Sequence, residues 1–217
     1  MKIDAYTIGI LKNFAKINPS ILVQEGNTLK TISTSKTIMA RAHVTTQFDK
    51  RFAIYNLDQF ISTLSIFNDP ELTFSDKEVK ISDQKMNMNF KYADENTVTK
   101  VPEKEINLPS IEVSFNLTNE NLKDVERAIG ILGLPEIVVA GDGTNIFLQG
   151  VDSKNISGHV FYINIGTTDK VFKAIFKSEN IKLIPGDYEV SISSRGISHF
   201  KGNEAEYWIA VEQTSTF

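Results

Sequence analysis

The same short order of elements recurs four times along the chain: an amphipathic helix, a hairpin of alternating residues, then a further strand. Helix starts fall at Asp4, Asn56, Thr118 and Ser178, so successive units are offset by 52, 62 and 60 residues. A turn follows each start at similar distance, at Gly26-Asn27, Asp76-Lys77, Gly141-Asp142-Gly143 and Arg195-Gly196. Repetition at a near-constant period fixes an architecture before side-chain chemistry does, because each unit must bury its apolar face against its neighbours.

The first unit opens with Asp4 placed as an N-cap, its short side chain able to accept from free backbone N–H groups. Ile8, Leu11, Phe14 and Ala15 share a face at helical spacing. The helix is expected to stop near Asn18-Pro19, since proline disfavours helical geometry in the residue before it. Ile21–Gln24 and Thr28–Ile32 read as a hairpin about Glu25-Gly26-Asn27, with Thr37–Val44 as a further strand. In the second unit Arg51–Tyr55 leads into the cap Asn56. Leu57, Phe60, Ile61, Leu64 and Phe67 then mark a helix ended by Asn68-Asp69-Pro70. Strands are expected at Glu71–Ser75, Val79–Ser82 and Met86–Phe90.

The third unit repeats this plan. Glu112–Leu117 leads to the cap Thr118, then Leu122, Val125, Ile129 and Leu132 recur on one face, with Gly133 as C-cap and Pro135 beyond. Ile137–Ala140 and Asn145–Gln149 bracket a Gly-Asp-Gly turn, followed by a strand at Val160–Ile165. The fourth unit is the most degenerate: Val171–Phe176, a short helix over Ser178–Ile184 cut off by Pro185, and strands at Tyr188–Ile192, Ile197–Lys201 and Tyr207–Val211. Ala93–Ser110 is polar, carries Pro102 and Pro109, and reads as a linker between two similar halves, 1–105 and 106–217. The expected class is α+β, with antiparallel sheets and two helices per domain covering one face.

Composition narrows the function classes. Apolar content of 41% with 23% charged residues supports a buried core, and no run of about 18 apolar residues offers a membrane span. The opening residues lack the basic-then-apolar profile of a signal peptide. The absence of cysteine excludes disulfides and thiolate chemistry and fits a reducing compartment. A net charge of −4 argues against an overall basic nucleic-acid binder, yet leaves room for a protein that is locally basic on one surface. His43, His159 and His199 are far apart in sequence, and no nucleophile has a positioned base, so neither a metal nor a cofactor nor a catalytic residue is expected. Gly141-Asp142-Gly143 lacks the lysine and hydroxyl of a phosphate loop and suits a hairpin.

Ile10-Leu11-Lys12-Asn13-Phe14-Ala15-Lys16-Ile17-Asn18 resembles the opening helix of the DNA polymerase sliding clamps of T-even-type bacteriophages, as does entry into that helix without a leading strand. Ala53-Ile54-Tyr55-Asn56-Leu57, with Phe60, Leu64 and Asn68-Asp69, is similar to the second helix of that family. Pro185-Gly186-Asp187-Tyr188 is similar to its fourth-unit turn. The resemblance spans essentially the whole chain and is weakest in the linker and in Thr34–Arg51. It implies two tandem domains of the DNA-clamp fold, sheets outside and helices on the inner face of a homotrimer closed head-to-tail around duplex DNA. It further implies a non-enzymatic tether for the replicative DNA polymerase, opened by an ATP-driven clamp loader, in the cytoplasm of the infected bacterial host. Contacts with late transcription, through a late sigma-like factor and an RNA polymerase co-activator, also belong to the family.

A sliding ring must attract phosphate without reading bases. Cations are therefore expected on helix faces turned from the sheets. Lys2, Lys12 and Lys16, with Gly9 and Asn13, fall opposite the apolar centre of the first helix. Lys123 and Arg127 are a turn apart on the third, and Lys177 and Lys182 bracket the fourth. The second helix offers Asp58 and no cation. Lysines opposite an apolar stripe are also where any solvated helix keeps its charge, so the sequence alone leaves both readings standing. The family's partner-peptide pocket is expected from Val101, Ile106, Leu108 and Pro109 with Trp208 and Ile209, against the alternative that these are core residues beneath a linker. Ring closure would pair exposed sheet edges, expected at Met86–Phe90 and Val160–Ile165. Two other readings remain at this level: a virion structural protein using the repeats for symmetric assembly without DNA, and a small-ligand enzyme built on the linker groove.

Overall fold

The computed structural model describes residues 1–155 and 157–217. The chain forms two compact units, Met1–Lys104 and Glu105–Phe217.

In the first unit, helix α1 (Ala5–Ile17) begins where Asp4 accepts from the Thr7 N–H, and ends where the Asn18 N–H closes onto Phe14 O. Its buried face holds Thr7, Ile10, Leu11, Phe14 and Ile17. It packs on α2 (Leu57–Leu64) and on strands β2 (Gly26–Ile32) and β3 (Ile38–Phe48). Two further groups of strands complete the unit: β1 (Ile21–Val23) with β4 (Phe52–Ile54), and a sheet ordered β5 (Glu71–Phe74), β6 (Glu78–Ser82), β7 (Asn87–Lys91). Phe48, Phe52 and Phe74 meet edge and face at 5.0–6.3 Å, and Tyr92 stacks on Phe52 at 5.2 Å. Ring geometry of this kind fixes a core more specifically than aliphatic burial alone.

Two expectations need correction here. Ile21–Gln24 does not form a hairpin with Thr28–Ile32. β1 pairs instead with β4, Leu22 opposite Ala53, while β2 pairs with β3. Gly26 has φ of +108° and sits at a register shift in the β2–β3 ladder. The Gly-Asn signal thus serves a bulge, where an extra residue with positive φ bends one strand, and not a chain reversal. The second helix stops at Leu64, short of Phe67. Ser65, Ile66 and Phe67 donate to Ser62, Thr63 and Leu64, an i to i−3 pattern that tightens the helix end before Asp69, in the left-handed region at φ +56°.

The second unit holds α3 (Asn119–Leu132), capped by the Thr118 hydroxyl and ended by Gly133 at φ +64°. One sheet is ordered β11 (Phe161–Thr167), β10 (Asn145–Val151), β9 (Glu136–Asp142), β12 (Val171–Lys177). In the other, β8 (Val113–Leu117), β13 (Tyr188–Ser193), β14 (Ile197–Gly202) and β15 (Glu206–Ala210) lie side by side, each antiparallel to the next. α3 lies over β10 and β11. Its approach is close enough that a Cβ on Gly150 would stand 3.0 Å from Leu134 Cδ1 and 3.2 Å from Ile129 Cγ1.

The fourth helix is reduced to one 3-10 turn, Ser178–Asn180. Seven residues before a proline are too few to repay helix nucleation. The chain runs extended from Ile181, and tyrosines satisfy the Ile184 backbone: its N–H donates to Tyr207 Oη at 3.1 Å and its carbonyl accepts from Tyr188 Oη at 2.5 Å. The described residues of the second unit therefore contain one α-helix where two were expected. Antiparallel sheets with helices laid on them remain the architecture of both units.

Candidate nucleic-acid interface

The exposed residues of α1 are Ala5, Tyr6, Gly9, Lys12 and Lys16, and all but Tyr6 fall on one line at i, i+4, i+7 and i+11. Lys12 and Lys16 thus stand about one turn apart, turned away from Phe14 and Leu11. Asn13, expected beside them, is buried at 6% exposure. Lys2 precedes the helix, so its wheel position carries no meaning. Its ammonium is ion-paired with Asp69, and the pairing holds it above its ordinary pKa, mainly through the hydrogen bond to that carboxylate. α2 exposes Asp58, Gln59 and Ser62, a polar face without a cation.

On α3, Lys123 and Arg127 are exposed one turn apart, as the spacing requires, with Glu120, Asp124 and Glu126 around them. Only Leu122 and Val125 of this helix are buried. Ile129 is half-buried, Leu132 is 39% exposed, and Ile131, continuing the line of Lys123 and Arg127, is 72% exposed. The expected apolar face therefore holds through Ile129 and fails at Leu132. The helix lies over β10 and β11, and its last turn meets β10 where Ile129 approaches Gly150, leaving Ile131 and Leu132 outside that contact. Lys177 is the last residue of β12, and Lys182 is half-buried in the extended segment after the 3-10 turn, so they do not flank a helix.

Sheet edges add a second feature. In the β5-β6-β7 sheet, the β5 side is closed by Met1, whose amino group donates to Leu72 O and whose carbonyl accepts from Leu72 N–H, both at 2.7 Å. Among the described residues the β7 side has no strand on it within the unit. In the β11-β10-β9-β12 sheet, the β12 side is closed by the segment after β15. Lys173 and Thr216 exchange both backbone bonds at 2.9 Å, Glu212 N–H donates to Ile175 O at 2.8 Å, and Ile175 N–H donates to Ser215 Oγ. Among the described residues the β11 side carries no paired strand within its unit, although β8 comes near it. The two bare strands are those expected from sequence, and they carry apolar surface: Met88 at 39% on β7, Tyr162 at 65% on β11 with Val160 at 57% just before it. Tyr162 meets Phe147 edge-on at 6.2 Å.

The residues expected in a peptide pocket are not brought together as one lining. Trp208 and Ile209 are consecutive on β15, so they point to opposite faces of the sheet. Ile209 is fully buried at 0%, and Trp208, at 6%, stacks flat on His199 at 4.7 Å and 12°. His199 Nε2 is 3.0 Å from Glu206 Oε2. Ile106 and Leu108 are half-buried and Pro109 exposed in the second unit. Val101, in the first unit, does line a groove of about 440 Å³ with Leu22, Thr28, Lys30, His43 and Pro102. Sequence reading missed this groove because Lys30 and His43 become neighbours only through the β2–β3 register, with Thr28 opposite His43 and Lys30 opposite Arg41.

Elsewhere the local chemistry is structural. Asp142 accepts from the Thr144 and Asn145 N–H groups, which organise the β9–β10 turn and hold its carboxyl below the ordinary range. Among the described residues no cluster of three His, Cys, Asp or Glu could hold a metal ion, and no helix is long and apolar enough to cross a membrane.

Comparison with known proteins matches residues 2–99 to the family described as DNA polymerase processivity factor and residues 114–213 to the family described as gp45 sliding clamp, C terminal. The sliding clamp of Vibrio phage KVP40 is 37% identical over 98% of this chain and 99% of its own length. The sliding clamp of Enterobacteria phage T4 is 29% identical over 100% and 99%. Among solved structures, the PCNA2-PCNA3 complex from Sulfolobus tokodaii aligns with a TM-score of 0.71 at 12% identity, covering 97% of this chain and 98% of that one. A putative DNA polymerase III beta subunit from Eubacterium rectale aligns at 0.72 with 14% identity, over 100% of this chain and 65% of that one. At such identities the structural matches speak for fold alone.

Proposed function

The chain belongs to the phage sliding-clamp family of DNA polymerase processivity factors, and from that premise we propose that three copies close head-to-tail into a ring around duplex DNA. The observation that carries this reading is the pair of bare strands, β7 in one unit and β11 in the other, each in a sheet whose opposite flank is already closed. An unpaired strand edge in water is an open template, and a rotation that joins β7 of one copy to β11 of the next and closes on itself removes both of these edges. Met88 on β7, with Tyr162 on β11 and the uncovered Ile131 and Leu132 of α3, supplies the apolar surface that such a joint needs.

In this reading domains 1–105 and 106–217 alternate around the ring, and Lys12, Lys16, Lys123 and Arg127 face the phosphates without sequence preference. Lys177 and Lys182 contribute from the degenerate fourth unit, and Lys2 contributes from before the first helix, where it is ion-paired with Asp69. The protein is a tether and not an enzyme, working in the cytoplasm of the infected host. An ATP-driven loader opens the ring, and the replicative polymerase docks by an apolar tail on the groove beside Val101. Solved relatives with bound peptides support that mode of docking: a Helicobacter pylori beta clamp with a DNA ligase peptide, and an A. fulgidus PCNA with the C-terminal region of FEN-1. The same groove is available to a late sigma-like factor and an RNA polymerase co-activator.

The test is loading onto nicked circular DNA followed by linearisation, with particle mass measured in parallel. A trimer trapped on circles and lost from linear ends is the expected result, with retention reduced at least tenfold by Lys12→Glu with Lys16→Glu or by Lys123→Glu with Arg127→Glu. A trimer indifferent to DNA topology would instead favour a structural protein of a symmetric virion assembly.

A further inference from the structure

The overall charge of −4 conceals an uneven partition. The first unit, Met1–Lys104, has 14 Lys and Arg against 12 Asp and Glu, a net of +2; the second, Glu105–Phe217, has 9 against 15, a net of −6. These counts exhaust the 23 basic and 27 acidic residues of the chain. We propose that this opposite charge selects the head-to-tail joint, steering the β7 side of one copy to the β11 side of another and rejecting the two like-with-like pairings.

The proposal rests on the ring reading above and adds what that reading lacks, a source of orientation. Backbone hydrogen bonds do not discriminate: a bare β7 pairs as readily with a second β7 as with β11, since every strand edge offers the same donors and acceptors. Specificity is a difference between affinities and is commonly secured by making the wrong pairings repulsive. Two second units brought edge to edge would oppose −6 with −6, and two first units +2 with +2. Only the mixed pairing is attractive. Screening makes the abutting units the ones that count, because the Debye length is about 10 Å at 0.1 M salt.

Charge near the two strands follows the same sense. Lys80 stands opposite Asn89 of β7 in the ladder, and Lys85 shares the turn that enters β7 with Asp83, which leaves one net positive charge; both lysines are exposed. α3, which lies over β11, has Glu120, Asp124 and Glu126 against Lys123 and Arg127. Lys91, on β7 itself, is already paired with Glu78 and adds little.

Sedimentation equilibrium of the intact protein at about 50, 150 and 500 mM sodium chloride tests this, a range across which the screening length falls more than threefold. The expected result is a trimer whose dissociation constant rises about tenfold over that range, since charge-steered association weakens with salt. Lys80→Glu with Lys85→Glu should weaken the trimer at low salt and leave it unaltered at high salt. Adding Glu120→Lys with Asp124→Lys should restore it. A trimer indifferent to salt and to these variants overturns the charge selection while leaving the ring intact. A monomer under every condition overturns the ring reading itself, and this inference with it.

Discussion

Asp4 shows how one residue can tie a helix to a strand. Its carboxylate accepts from Thr7 N–H at 2.9 Å and Thr7 Oγ1 at 2.8 Å within the first turn, and from Thr46 Oγ1 at 2.6 Å across to β3. Partial burial pushes the carboxyl upward, but the hydrogen bonds from Thr46, Thr7 and Thr45 outweigh it and hold the group well below the usual carboxylate range. A depressed folded pKa gives stability that is fully present above the unfolded value of 3.8 and is lost as pH falls below it. Asp4→Asn keeps a capping oxygen and removes the charge. It should cost about 1 kcal/mol at pH 7, and that difference should shrink between pH 4 and pH 2. Urea midpoints at those values check the sign. Asp83, Glu112 and Asp142, each held down first by backbone N–H donors, add acid lability of the same sign in both proteins.

At the scale of elements, α3 is the informative case. A helix buried along its whole apolar face would lose about 2–5 kcal/mol on losing one large core side chain. Ile131 is 72% exposed, so Ile131→Glu should leave the thermal midpoint of the isolated subunit within about 2 °C, an exposed site being worth about 0.5 kcal/mol or less. The same change should weaken the trimer at least tenfold by sedimentation. A lowered midpoint with an unaltered trimer would return Ile131 to the subunit interior. Periodicity made this helix legible from Thr118 to Gly133, but it could not say that Leu132 stays exposed, because that depends on how the last turn meets β10. The cap at Asn56 and the β9–β10 hairpin were equally plain in local signals, whereas the pairing of β12 with β9 joins strands distant in sequence. The exchange of partners between β1 and β2 was not, since the Gly26-Asn27 signal that marks a hairpin also marks a bulge. The cationic stripe was legible as spacing, while the burial of Asn13 and the split of Trp208 from Ile209 required the packed structure.

At the scale of the whole molecule, the flanks of two sheets are managed differently on their two sides, and this can be tested by removing a guard. Deleting residues 213–217 removes Ser215 and Thr216, exposing the Lys173 backbone pair and the Ile175 N–H on β12 beside Val171, which is already 74% exposed. The core of the second unit is untouched, so folding should persist. Association beyond the trimer should appear and grow with concentration, as open edges promote further pairing. Light scattering of the truncated protein against the full chain decides it; equal monodispersity would show that Lys173 and Lys177 protect that edge by charge alone.

The single tryptophan gives the molecule a built-in optical reporter. Trp208 lies in the second unit, shielded from solvent and stacked on His199, whose ring is within 3.0 Å of Glu206. Unfolding carries the buried indole into water, so the emission should shift to the red when this unit alone melts. Melting of the first unit, which has tyrosine and phenylalanine but no indole, should pass unseen at the same wavelength. Emission and circular dichroism followed together would then show whether the two halves come apart in one step or in two.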